Sequence, residues 1–140
     1  MLQPLLGLLL LAESVAPVPL EVSDAWVRAM PPGQHNSAAY MRLHNPGDEP
    51  LVLVGAESPG VGHIMLHGYE RRGDQLAMKH LDRLVLAPGQ ETLLAPGTSH
   101  LMLMGLKAPL REGDSLALTL ILANGQHQAL ELPVRRLPME

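Results

Sequence analysis

From Leu20 onward, apolar and polar residues alternate with period two in short runs, and Pro, Gly, Asn or Asp separates one run from the next. Such runs read as half-buried strands. The pattern predicts strands over Glu21 to Arg28, Ala38 to Asn45, Leu51 to Glu57, His63 to Glu70, Gln75 to His80, Glu91 to Ala95, His100 to Leu106, Ser115 to Leu122 and His127 to Val134. No segment sustains a 3.6-residue period. Asn124-Gly125 lies between two alternating runs and predicts a hairpin with a type I′ turn, since both residues tolerate positive φ. Arg72-Gly73-Asp74 predicts a second hairpin. The recurring pairs Pro31-Pro32-Gly33, Pro46-Gly47, Pro59-Gly60, Pro88-Gly89 and Pro96-Gly97 mark loops, because a proline cannot donate to a central ladder. Close turns without a crossover helix predict an all-β, all-antiparallel β-sandwich with Greek-key connections.

At 140 residues the chain has room for one hydrophobic core, taken here as a single domain over residues 17–140. With no Phe, two Tyr (Tyr40, Tyr69) and one Trp (Trp26), that core must be almost wholly aliphatic. A net charge of -4, scattered Lys and Arg and few stacking rings leave no footprint for nucleic acid. The absence of cysteine excludes disulfides, zinc-thiolate sites, iron-sulfur clusters and a blue-copper thiolate. In its place stand 8 Met and 7 His, which supply thioether sulfur and imidazole nitrogen. Residues 1–16 read as a signal peptide: Leu5 to Ala12 is an apolar run, Ser14-Val15-Ala16 offers small residues for cleavage after Ala16, and no Lys or Arg precedes the run. The run is too short for a membrane span, and the expected location is periplasmic.

Chemistry gathers in Ser99-His100-Leu101-Met102-Leu103-Met104-Gly105. On a strand, His100, Met102 and Met104 take one face while Leu101 and Leu103 take the core, which predicts a ligand face at the sandwich edge. A Met stripe alone is more often packing. His67 and Met78, however, flank the predicted Arg72-Gly73-Asp74 hairpin, which brings a second His near a second Met. Two neutral imidazoles and two thioethers make a soft site suited to copper(I); zinc asks for thiolate or carboxylate, and copper(II) for nitrogen and oxygen in a tetragonal array.

His67, Met78, His100 and Met102 follow the spacing H-x10-M-x21-H-x-M, and in this the chain resembles the periplasmic CuA copper chaperones called PCuAC. The likeness extends to Ala25-Trp26-Val27-Arg28, Asn36-Ser37-Ala38-Ala39-Tyr40 and His100 to Lys107 with Pro109-Leu110, and runs from about Val22 to Val134. It implies a cupredoxin-like sandwich that carries Cu(I) on those four residues. It further implies delivery to the CuA domain of cytochrome c oxidase subunit II, alongside a thiol-bearing copper chaperone, by a protein expected to be a monomer. Protonation of the histidines should compete with the metal as pH falls toward about 6.

Two other readings compete. Copper storage or resistance would use the same four residues, and an immunoglobulin-like interaction module would leave them accidental. An enzyme is not expected, since neither a G-x-S-x-G nor an H-E-x-x-H pattern occurs. His63 with Met65 is a second His-x-Met pair on the face of His67, a candidate alternative position. His80 is a candidate substitute ligand, Met104 is read as a packing shield and a secondary ligand candidate, and Met30 and Met41 are core. His35, His44 and His127 are assigned nothing.

Overall fold

A computed structural model describes residues 20–137, so the signal segment and its cleavage point lie outside the described residues. The described residues form ten strands: β1 (Glu21–Arg28), β2 (Asn36–His44), β3 (Leu51–Glu57), β4 (Val61–Arg72), β5 (Gln75–Leu81), β6 (Leu84–Leu86), β7 (Glu91–Leu94), β8 (His100–Leu106), β9 (Ser115–Leu122) and β10 (His127–Arg135). Nine lie where the alternation puts them, most within two residues at each end. β6 was not foreseen: three residues are too few to show a period, and its pairing with β3 (Leu51↔Leu86, Leu53↔Leu84) creates it. Buried Asn45 holds it there, donating from Nδ2 to the Leu86 carbonyl at 2.9 Å and to that of Glu49 at 2.8 Å.

The hydrogen-bonded path runs β5-β4-β8-β2-β1-β10-β9-β3-β6, with β7 added to β2. One sandwich half is β5-β4-β8-β2-β1 and the other is β10-β9-β3-β6. Their inward leucines, among them Leu66, Leu101 and Leu103 from the first half and Leu53, Leu118 and Leu120 from the second, form one buried cluster. The sandwich expectation holds, but the all-antiparallel one does not. β1 and β10 pair in parallel through Val27↔Val134 and Arg28↔Arg135. A parallel pair needs a long connection, and here nearly the whole domain serves as that connection. Local alternation carries no information about such a partner.

Turn chemistry follows the loops with one correction. Gly73, φ 65, opens the two-residue loop between Arg72 and its partner Gln75, the position where a II′ turn needs positive φ. At the other hairpin only Gly125 is left-handed (φ 88), so the turn is not type I′. The Gly125 N–H bonds back to the Leu122 carbonyl and the Leu122 N–H to that of Gln126, a type I turn followed by a left-handed glycine. Asn124 Oδ1 instead accepts from the Gln126 N–H at 2.8 Å.

Two irregularities shape the outer face of the first half. At Asp24 (φ 50) β1 bulges, and the register against β2 steps from Ser23↔Arg42 to Trp26↔Tyr40. β7 and β8 both pair with β2 and are interrupted by Ala95–Ser99, whose Ala95 N–H bonds to the Ser99 carbonyl. Leu103→Ala, emptying a fully buried position behind that face, is expected to cost about 2–5 kcal/mol in urea unfolding. A loss below about 1 kcal/mol would contradict its place in the core.

Candidate metal centre

β4 and β8 lie side by side in the middle of the first half, paired Ile64↔Leu103, Met65↔Met102, Leu66↔Leu101 and His67↔His100. Ile64, Leu66, Leu101 and Leu103 are buried in the core. Because successive side chains alternate, the same register sends Met65, His67, His100 and Met102 outward. The predicted donors thus occupy the outer face of a sheet, with only Met78 on the edge strand β5. The edge position expected for His100, Met102 and Met104 is corrected, since β8 is flanked by β4 and β2: a strand's own pattern shows which face a residue takes, not whether neighbours flank the strand.

Across this face five rings stand in a row, one per strand from β1 to β5 along the sheet. Trp26 and Tyr40 have centroids 4.8 Å apart, Tyr40 and His100 6.3 Å, His100 and His67 5.7 Å, and His67 and His80 6.3 Å. Met78 sits opposite Tyr69, diagonal to His67, and its sulfur is 3.0 Å from His67 Nδ1. Met102 flanks the histidine pair on the other side. Donors about 2.0 and 2.3 Å from one tetrahedral ion stand roughly 3.5 Å apart, so the His67–Met78 pair has to open by only about half an ångström to take a metal between them.

His100 is 5% exposed, more enclosed than a surface site would suggest. The Ala95–Ser99 excursion encloses it: His100 Nδ1 donates to the Thr98 carbonyl at 3.0 Å, which leaves Nε2 with its lone pair free for a metal. Pro96 and Gly97 line the same recess of about 370 Å³ as Tyr40, Met78, His100 and Met102. Burial holds the Tyr40 hydroxyl above the usual phenol range, with Arg28 opposing, so it faces the recess neutral. A larger open hollow of about 710 Å³ beside Gly55 and Thr119 includes His63 but no methionine, so the soft donors gather in the smaller recess.

His67 is held below its ordinary value of 6.5 by burial, then by His100 and His80 nearby. It therefore stays unprotonated, and able to bind a metal, further into mild acid than a free histidine. Among the described residues no three His, Asp or Glu side chains converge into a hard-ligand site. The neighbouring carboxylates are engaged elsewhere: Glu70 with Arg72 (2.9 Å) and Lys79 (3.1 Å), and Asp82 beside His80 (3.5 Å).

Of the secondary candidates, His80 directly opposes His67 and is exposed, and His63 opposes Met104, both exposed. Met41 is core as expected, at 1% exposure, while Met30 packs against the core's margin through its bridge to Leu110. His44 pairs with Glu21 at 2.8 Å, a structural contact. Sequence reasoning passed over Thr98, whose backbone oxygen orients His100, and the Trp26–Tyr40 wall. A carbonyl carries no residue signature, and the wall depends on the Asp24 bulge.

The family profile described as "Putative lipoprotein LpqE-like" matches residues 20–134. A protein of Leifsonia xyli subsp. xyli named "Putative lipoprotein Lxx21020" is 36% identical over 117 residues, 83% of this chain and 69% of that one. The fold is similar to the apo PCuAC domain from PmoF1 (TM-score 0.71, 28% identity, 84% of this chain and 94% of that one). It is also similar to the solution structure of copper(I)-bound DR1885 from Deinococcus radiodurans (TM-score 0.67, 32% identity, 89% and 82%).

The lowered pKa of His67 has a consequence for stability. The unfolded chain binds that proton more readily than the folded one. The contribution of His67 is therefore complete above about 6.5 and declines as pH falls through that value toward the lower folded pKa. Metal-free protein should lose urea resistance between about pH 7.5 and pH 5, and His67→Gln should lose measurably less. Equal losses would show that His67 is not strained by its neighbours.

Proposed function

The chain belongs to the LpqE-like family and is a PCuAC-type domain, and on that premise we propose that it is an exported carrier, not an enzyme, that holds one copper(I) ion through His67, Met78, His100 and Met102. The observation that carries this reading is the convergence of two imidazoles and two thioethers on one outer face. His67 Nδ1 lies 3.0 Å from the Met78 sulfur, and the two histidine rings are 5.7 Å apart. Four neutral donors suit a soft monovalent ion, and the lack of any carboxylate in the set disfavours zinc and copper(II).

The geometry also suits a carrier. Met78 is 49% exposed on an edge strand, whereas His100 is enclosed and oriented by Thr98. An incoming acceptor ligand displaces the exposed thioether first, while the histidine pair keeps hold until the acceptor has a second bond. Without a thiol the chain cannot itself reduce an acceptor. Delivery to the CuA domain of cytochrome c oxidase subunit II, with a thiol-bearing partner to prepare it, is the acceptor we assign by resemblance. The lipoprotein names of the family and of the Leifsonia protein support a place in the cell envelope, which we take as periplasmic, with the domain working as a monomer.

Anaerobic titration against a chromogenic copper(I) chelator tests the site. The parent should hold one copper(I) tightly, and Met78→Leu with Met102→Leu should weaken it by at least about 100-fold while circular dichroism stays unchanged. Tight binding that survives the double substitution would sink the four-ligand assignment. Retention should also fall as pH drops below about 6.5, when protons begin to compete for the imidazoles.

A further inference from the structure

The outer face of the β4–β8 pair does not end at the four donors. Three cross-strand pairs follow one another along it: His67↔His100, Met65↔Met102 and His63↔Met104. All six outward positions are His or Met. Directly opposed residues of an antiparallel pair have Cβ atoms about 4.5–5.5 Å apart, and pairs two residues along a strand are separated by about 7 Å. The core does not require these side chains, since Ile64, Leu66, Leu101 and Leu103 fill it from the other face. Met104 is 36% exposed, His63 is exposed and Met65 is half-buried. An exposed thioether in the middle of a sheet, facing an exposed imidazole, is costly as packing and useful as a donor pair.

Beyond His63↔Met104 the register passes over Gly62 and Gly105 and resumes at Val61↔Leu106. Gly105 has φ 74, and a Cβ added at Gly62 would come within 3.3 Å of the Met104 carbonyl oxygen. Neither residue has a side chain to cover His63 or Met104, and His63 borders the open hollow of about 710 Å³. Asn36, exposed on β2 and opposite Met104, is the nearest polar neighbour on the other flank. Among the described residues no carboxylate pairs with this end of the ladder, and Glu57 lies across the hollow that His63 borders.

We propose that His63, Met65 and Met104 form a second, weaker copper(I) position, joined to the first by the Met65–Met102 pair. The inference rests on the copper-carrying reading of the first site and adds a track to it. A copper(I) ion moving from His67, His100 and Met102 along the β4–β8 pair passes Met65 and then reaches His63 and Met104 at the rim, the end away from the exposed Met78. No electron or proton transfer is involved; one neutral donor replaces another. A three-donor site with one imidazole releases its metal faster than the four-donor site, which is what a hand-over position needs.

The test is anaerobic copper(I) titration of the whole chain, read by chelator competition, with silver(I) as a redox-inert probe for NMR of the methionine methyl groups. The parent should take a second equivalent at least tenfold more weakly than the first, with Met65 and Met104 methyl shifts saturating only in that second phase. Met65→Leu with Met104→Leu should abolish the second phase and leave the first within about threefold. Met78→Leu with Met102→Leu should remove the tight phase and leave a weak one that still moves the Met104 methyl. A parent that binds one equivalent only, or a Met104 methyl that never shifts, overturns the second position and leaves the first intact. Loss of the tight phase in both variants makes all these residues one site and overturns the proposal as well. Both pairs of substitutions lie on the outer face, and far-ultraviolet circular dichroism checks that each variant keeps its fold.

Discussion

A one-residue slip of β8 against β4 would turn Leu101 and Leu103 to solvent and His100 and Met102 into the core. Since the period of a strand is two, the leucines that must be buried set the register, and the register sets the donors. The core of this domain is aliphatic, with twelve large side chains under 2% exposed and no aromatic ring among them. On β8 the inward Leu101 and Leu103 alternate with the outward His100, Met102 and Met104, so the hydrophobic effect on one face holds the chemistry of the other in position. The site needs no cross-link and no preformed charge for its placement.

Neutrality is the second consequence. A face of charged ligands in the middle of a sheet would repel itself or need counter-ions, whereas imidazole and thioether donors can stand side by side at little cost until a proton arrives. That cost is visible at His67, whose proton affinity is lowered by burial and by the two neighbouring rings. The same crowding that discourages a proton leaves the nitrogen lone pairs available. Around this patch the sandwich adds orientation: the Ala95–Ser99 excursion offers the Thr98 carbonyl to His100, and the Trp26–Tyr40 pair walls the far side. The enclosed histidine and the exposed edge methionine make the two ends of the site unequal, which gives an acceptor a side from which to approach.

Strand positions were legible because alternation is a local property. β1, β3, β8 and β9 lie over the residues the pattern assigns, and the proline- and glycine-bearing loops follow. β6 was not legible, since three residues owe their strand geometry to β3 and to the two carbonyls that Asn45 gathers. The turn at Asn124-Gly125 was misread for a related reason: Asn124 accepts left-handed geometry, but its side chain bonds the Gln126 N–H and keeps it out of that region. For the candidate site, the face of His100 and Met102 was legible in two leucines that alternate with them. Their central rather than edge location was not, because it depends on β2 and β4 arriving on either side.

From the sequence alone come the period-two runs that demand a sheet, the aliphatic core, the lack of any thiol and the excess of His and Met on outward positions. All of these are properties of residues and their nearest neighbours along the chain. Tertiary structure decided the rest: that β1 and β10 close the path in parallel, that an Asp24 bulge swings Trp26 opposite Tyr40, that His67 faces His80 and His100 at once, and that Thr98 orients the buried ring. Each of these depends on which strands become neighbours and in what register, and that choice is made by burying the whole core together. No single segment holds the information, because the free energy that selects a partner strand is shared among residues far apart in the chain.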